Sequence, residues 1–133
     1  MLDFFNPKFV YHSPVHVDEL RDSGILSTAR IAAHVDHAIA AFNAADGTEP
    51  RFDGDARVEY LNPVSEAAPM RIDLWVDALD AWSCTYGFIC SSEDGRTPYA
   101  RGERTVVNAG AKQWPEEFRS AHATLVRNLP AYA

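Results

Sequence analysis

Between Ile25 and Asn43 the apolar residues Ile25, Ala29, Ala32, Val35, Ile39 and Phe42 recur at steps of three and four. That is the spacing of an amphipathic helix. Ser23 is placed to cap it. Ahead of this stretch, Phe9-Val10-Tyr11 and Val15-His16-Val17 flank Pro14, and proline cannot donate to a ladder, so an irregular or edge strand is predicted there. A polar loop from Ala44 to Gly54 ends the helical pattern. Four segments rich in β-branched and aromatic residues follow: Ala56 to Leu61, Met70 to Leu79, Trp82 to Ser91 and Tyr99 to Asn108. Asn62-Pro63, Asp80-Ala81 and Glu93-Asp94-Gly95 separate them as turns, which predicts a meander of antiparallel neighbours. Pro115 then opens a second helix through Phe118, Ala121, Leu125 and Leu129, stopping before Pro130. A strand, a long helix, four strands and a terminal helix make an α+β domain with one curved antiparallel sheet.

Composition narrows the function classes. The 133 residues are 47% hydrophobic and 23% charged, an ordinary globular balance, and residues 1–133 are expected to form a single domain. A chain of this size buries roughly two-thirds of its unfolded surface, enough for stability without disulfides or structural metal. Twelve Lys and Arg against nineteen Asp and Glu give a net charge of −7, which argues against nucleic acid and anionic membrane as partners. The expected compartment is the cytoplasm: no apolar run spans a bilayer, and the start Met1 to Pro7 lacks the regions of a signal peptide. Cys84 and Cys90 fall in one strand, where six residues span about 20 Å, so both are expected to be reduced and on one face.

Several joints of this pattern carry motifs. Gly24 is followed twelve positions later by Asp36, and Tyr60-Leu61-Asn62-Pro63 closes the first strand after the helix. Asp94-Gly95 leads into Ala100-Arg101-Gly102-Glu103-Arg104-Thr105, and Trp114-Pro115-Glu116-Glu117-Phe118 precedes the end. In order and spacing these segments, from about Val15 to Phe118, resemble the hotdog-fold thioesterases, in the 4-hydroxybenzoyl-CoA-thioesterase-like branch. The resemblance implies a curved sheet wrapped around a long central helix, a homodimer or dimer of dimers, and hydrolysis of an acyl-CoA or acyl-carrier-protein thioester at a site shared between subunits. It implies no cofactor other than the coenzyme A of the substrate. Where the family places its catalytic Asp, three residues before the Gly, this chain has Arg21, and Ala67-Ala68 replace a common Gly-Asp pair. Some polyketide-associated members also lack the acid and are thought to use arginine and asparagine.

Under that resemblance Glu19, Arg21 and Asp36 are the expected catalytic residues: Glu19 as base for water, Arg21 polarising the carbonyl or holding pyrophosphate. The amides of Gly24 and Ile25, read as the N-terminus of the helix, would receive the oxyanion. His34, Tyr60, Asn62, Arg101 and Arg104 are the expected substrate contacts. His34 and His37 share a helix face, but neither His-Glu-x-x-His nor Cys-x-x-Cys is present, so no metal is expected. Trp75, Trp82, Tyr86 and Phe88 are expected in the core or at a subunit contact. Two other functions compete with hydrolysis: a non-catalytic acyl-thioester-binding or regulatory protein, which Arg21 makes credible, and more weakly a dehydratase.

Overall fold

The computed structural model describes residues 7–44, 50–108 and 113–126. Strand β1 (Phe9–Ser13) leads into a 3-10 turn over Val17–Leu20 and helix α1 (Thr28–Ala44). Strands β2 (Ala56–Tyr60), β3 (Met70–Leu79), β4 (Ser83–Ser91) and β5 (Pro98–Val107) follow, and then helix α2 (Glu116–Ala123). The strands make one sheet in the order β1-β3-β4-β5-β2, with every pair antiparallel.

The sheet buries alternate residues, as period-2 side chains require. Met70, Ile72, Leu74 and Val76 of β3 and Cys84, Tyr86, Phe88 and Cys90 of β4 face the core. Arg71, Asp73 and Trp75 face the other way, Arg71 and Lys8 both pairing with Asp73. Helix α1 lays Ile31, Val35, Ala38 and Ile39 onto this apolar surface, against β1 and β3. Two register shifts, at Val76/Ala78 and at Cys90/Ser91, bend the strands. At the first, the Val76 amide donates instead to the Leu125 carbonyl, 2.9 Å away, and so anchors the chain after α2.

Several expectations need correction. The first strand stops at Ser13, because Pro14 cannot continue the ladder; Val15 turns into the core and Val17 opens the 3-10 turn. Helix α1 starts at Thr28, not Ile25, and its cap is Ser27, whose hydroxyl accepts the Arg30 amide at 3.2 Å. Strand β2 is not the neighbour of β3 but pairs with β5 at the edge of the sheet. The connection 61–69 makes no hairpin; it buries Val64, whose carbonyl accepts the Leu26 amide at 2.8 Å. Finally, α2 ends at Ala123, and Leu129 and Pro130 lie outside the described residues. Trp82 sits in the turn before β4 and is exposed, whereas Tyr86 and Phe88 are fully buried.

Helix α2 docks through a polar chain that the hydrophobic pattern does not reveal. Phe118 stacks between Trp114 and His122, at centroid distances of 4.0 and 3.6 Å. His122 Nδ1 faces the Phe118 carbonyl at 2.7 Å and must donate to it, so in the neutral ring Nε2 accepts the Tyr86 hydroxyl proton across 2.5 Å. Asn43 of α1 in turn donates to the Tyr86 oxygen at 3.1 Å. The chain joins α2, β4 and α1 where all three groups are out of water.

Both cysteines are free, and burial pushes each thiol up to about 12. The thiolate is the reactive species. Titration with a thiol reagent in native buffer should therefore show neither cysteine, and addition of denaturant should release both; rapid native modification would refute the burial.

Candidate active site

The segment from His16 to Ser27 sets the site. In the 3-10 turn the His16 amide donates to Glu19 Oε2 at 2.8 Å, which folds the Glu19 side chain back over the start of the turn. Gly24, at φ 79°, takes the left-handed conformation that ends the turn, and its amide donates to the Leu20 carbonyl at 2.8 Å. The Ile25 amide faces the Ser23 hydroxyl at 3.4 Å. Because α1 begins only at Thr28, the Gly24 and Ile25 amides stand outside its first turn, and each already has a partner.

Glu19 is the centre of a compact cluster. Its Oε1 lies 2.9 Å from His34 Nε2 and 3.8 Å from Arg30 Nη1. The other ring nitrogen, His34 Nδ1, is 2.5 Å from the hydroxyl of Ser13 at the end of β1. The Glu19 side chain is 15% exposed and that of His34 6%. A cleft of about 470 Å³ opens on them, bounded also by Tyr11, His16 and His37. Burial opposes ionisation of Glu19, but the His16 amide, the His34 ring and the Arg30 charge outweigh it and bring its pKa below the usual carboxylate value. A lowered folded value means that ionised Glu19 adds stability above its unfolded pKa, and this is lost as pH falls through the folded one. Glu19→Gln should thus flatten the acid side of a melting-temperature profile; an unaltered profile would show that the cluster does not hold the charge.

The remaining candidates are not gathered here. Arg21 is 74% exposed and does not line the cleft itself, but pairs at 2.8 Å with Asp18 on its wall. Asp36 accepts from Arg104 Nε at 2.9 Å, and Arg104 also donates to the Gly54 and Phe52 carbonyls at 2.8 and 3.1 Å. Along α1, Arg30, Ala33, His34 and His37 line the cleft, whereas Ile31, Ala32, Val35 and Asp36 line a second recess of about 160 Å³ toward β2 and β5. At 100° per residue these two sets lie on opposite flanks of the helix. The Tyr60 hydroxyl donates to the Thr28 carbonyl at 3.4 Å, and Asn62 donates to the Pro98 carbonyl at 2.8 Å. Arg101 pairs with Glu59 at 2.8 Å, exposed on β5. Among the described residues no three His, Cys, Asp or Glu side chains are placed to hold a metal, and no helix is long and apolar enough to cross a membrane.

Ser13 and His16 were not among the expected site residues. Ser13 carries one legible signal, a strand position two after Tyr11 on the same face, but nothing local shows that a histidine 21 positions on turns toward it.

No protein-family model matches the chain, and no curated protein does. Solved structures match across nearly its whole length. The PA5185 protein of Pseudomonas aeruginosa superposes with a TM-score of 0.80 at 18% identity, over 92% of this chain and 99% of its own. The dynemicin thioesterase gives 0.77 at 20% identity, over 92% and 100%. The 1,4-dihydroxy-2-naphthoyl-CoA thioesterase of Synechocystis gives 0.74 at 11%, over 88% and 96%. The five-stranded antiparallel sheet with its two helices is the hotdog fold.

Proposed function

We propose that the protein is a thioesterase that hydrolyses an acyl-CoA or acyl-carrier thioester, with Glu19 as the general base. The observation that carries this reading is a carboxylate, oriented by two hydrogen-bond donors, on the wall of a cleft in a fold shared with proteins named as thioesterases. A carboxylate offers about four lone-pair sites. The His16 amide and the His34 ring use two, so a water can approach a third. Glu19 takes a proton from that water as its oxygen attacks the thioester carbonyl; the tetrahedral intermediate collapses with cleavage of the C–S bond, and the departing thiolate takes the proton from Glu19, leaving the acid and the free thiol.

The site is proposed to be shared between subunits. Strand β2 lies at the sheet edge, with one row of backbone groups available to a second copy. The Glu19 cleft and the recess beside Val35 and Phe88 lie on opposite flanks of one α1, so a substrate using both draws on two chains. The recess is close in volume to an engineered cavity of about 150 Å³ that takes a benzene ring, which suits a short or ring-sized acyl group. Light scattering should give a dimer or a dimer of dimers; a monomer at working concentration would remove the shared site.

A panel of acyl-CoA substrates with thiol detection tests the activity. Turnover well above background supports hydrolysis, whereas saturable binding without turnover supports an acyl-thioester-binding module. Arg21, exposed and paired among the described residues only with Asp18, is assigned to the phosphates of coenzyme A. Arg21→Ala should raise KM several-fold and leave kcat unchanged, the sign of lost uniform binding. A fall in kcat of about a hundredfold would instead place Arg21 at the carbonyl.

A further inference from the structure

The hydrogen-bond chain from Ser13 through His34 to Glu19 has a direction that its donors and acceptors fix. Among the described residues, Glu19 is met by the His16 amide, the His34 ring and, at 3.8 Å, Arg30. A carboxylate in those surroundings accepts, so His34 Nε2 carries a proton. In the neutral ring the lone pair is then on Nδ1, and the group facing it at 2.5 Å is the Ser13 hydroxyl, which must donate. Ser13 is 1% exposed, and among the described residues its hydroxyl has no other side-chain partner. A second proton on Nδ1 would turn the Ser13 hydrogen away from its acceptor and strand it out of reach of water. The charged and titratable groups around the ring are Tyr11 of β1, His16, Asp18 and Glu19 of the turn, and Arg30 and His37 of α1. Among the described residues, only Glu19 and Ser13 touch its nitrogens.

We propose that Ser13 is a positioning residue: by donating to His34 Nδ1 it pins the ring as the neutral Nε2–H form, so that Glu19 is oriented by a neutral hydrogen bond rather than by an imidazolium. This deepens, and rests on, the reading of Glu19 as the base. An imidazolium against the carboxylate would orient it equally well but would lower its basicity further. The order serine, histidine, acid is also that of a nucleophilic relay. Ser13 borders the cleft but is only 1% exposed, which sets it apart from an attacking group, since that needs an open approach to the carbonyl carbon.

The test uses the full chain, wild type, Ser13→Ala and Ser13→Thr. Nitrogen-15 NMR of the His34 ring at neutral pH should show protonated Nε2 and unprotonated, hydrogen-bonded Nδ1 in the wild type. Ser13→Ala should lose that pattern and lower kcat about tenfold with KM within about twofold, the scale of losing the group that orients a histidine. Ser13→Thr keeps the hydroxyl and should restore both. A wild-type ring protonated on Nδ1, or an unchanged ring pattern in Ser13→Ala, overturns the proposal. So does an acyl group found on Ser13 by mass spectrometry of quenched reactions. If Ser13→Ala does not fold, the wild-type ring pattern and the Ser13→Thr kinetics still decide. If the wild type hydrolyses no thioester, the Glu19 reading fails while the ring spectra still decide what Ser13 does.

Discussion

Glu19→Gln should lower kcat for thioester hydrolysis by two to four orders of magnitude, about the range that a positioned general base supplies, with KM little changed. Glutamine matches glutamate in shape, so the cleft keeps its walls. Its oxygen can still accept from His34, but the amide nitrogen then points at the His16 N–H, donor against donor, where the carboxylate accepted at 2.8 Å. The substitution thus removes the base and weakens the turn together. The two effects separate by temperature: activity measured well below the melting point reports the base alone. The wild-type rate should persist into mildly acidic solution, because the His16, His34 and Arg30 contacts hold Glu19 ionised below the usual carboxylate range. Activity within about twofold of wild type in a folded Glu19→Gln protein would sink the mechanism.

The parts of this fold that follow from short-range pattern were legible in the chain. Alternation in Met70–Leu79 and the period of α1 reflect burial on one face, which sequence spacing records directly. The start of α1 was misread because Ser23 and Ser27 are equally good caps by residue type. The choice fell to Leu26, whose buried side chain and bond to Val64 hold the chain extended up to Ser27. The place of β2 was hidden for a similar reason, since pairing with β5 depends on where the connection 61–69 runs. In the candidate site, Glu19 is singled out through the family resemblance, but its partners come from β1 and α1, and no local spacing encodes that meeting. Asp36 and Arg104 were both singled out, as acid and substrate contact, yet their bond to each other joins positions 68 apart.

That bond carries the other large effect. The Arg104 side chain, 14% exposed, reaches Asp36 with two nitrogens, at 2.9 and 3.3 Å, and caps the Gly54 and Phe52 carbonyls while lying 5.4 Å over the Phe52 ring. It thereby ties β5 to α1 and to the segment entering β2. Arg104→Ala removes every one of these donors and leaves a partly buried carboxylate unpaired. Loss of one partner of a fully buried pair costs about 3–5 kcal/mol. Asp36 is 30% exposed and partly rehydrated, so a loss of about 2–4 kcal/mol in denaturant unfolding is expected. Asp36→Asn should cost less, because the amide oxygen still accepts from the guanidinium. An Arg104→Met, Asp36→Leu double variant should recover part of the loss, as apolar replacements of buried pairs often do. The same substitutions separate support from chemistry. If Asp36 acts through Arg104 on the fold, Asp36→Asn keeps most of kcat and loses stability. If it acts on substrate from the second recess, kcat falls about a hundredfold while the unfolding midpoint barely moves, and the pairing with Arg104 is then the resting arrangement of a catalytic acid.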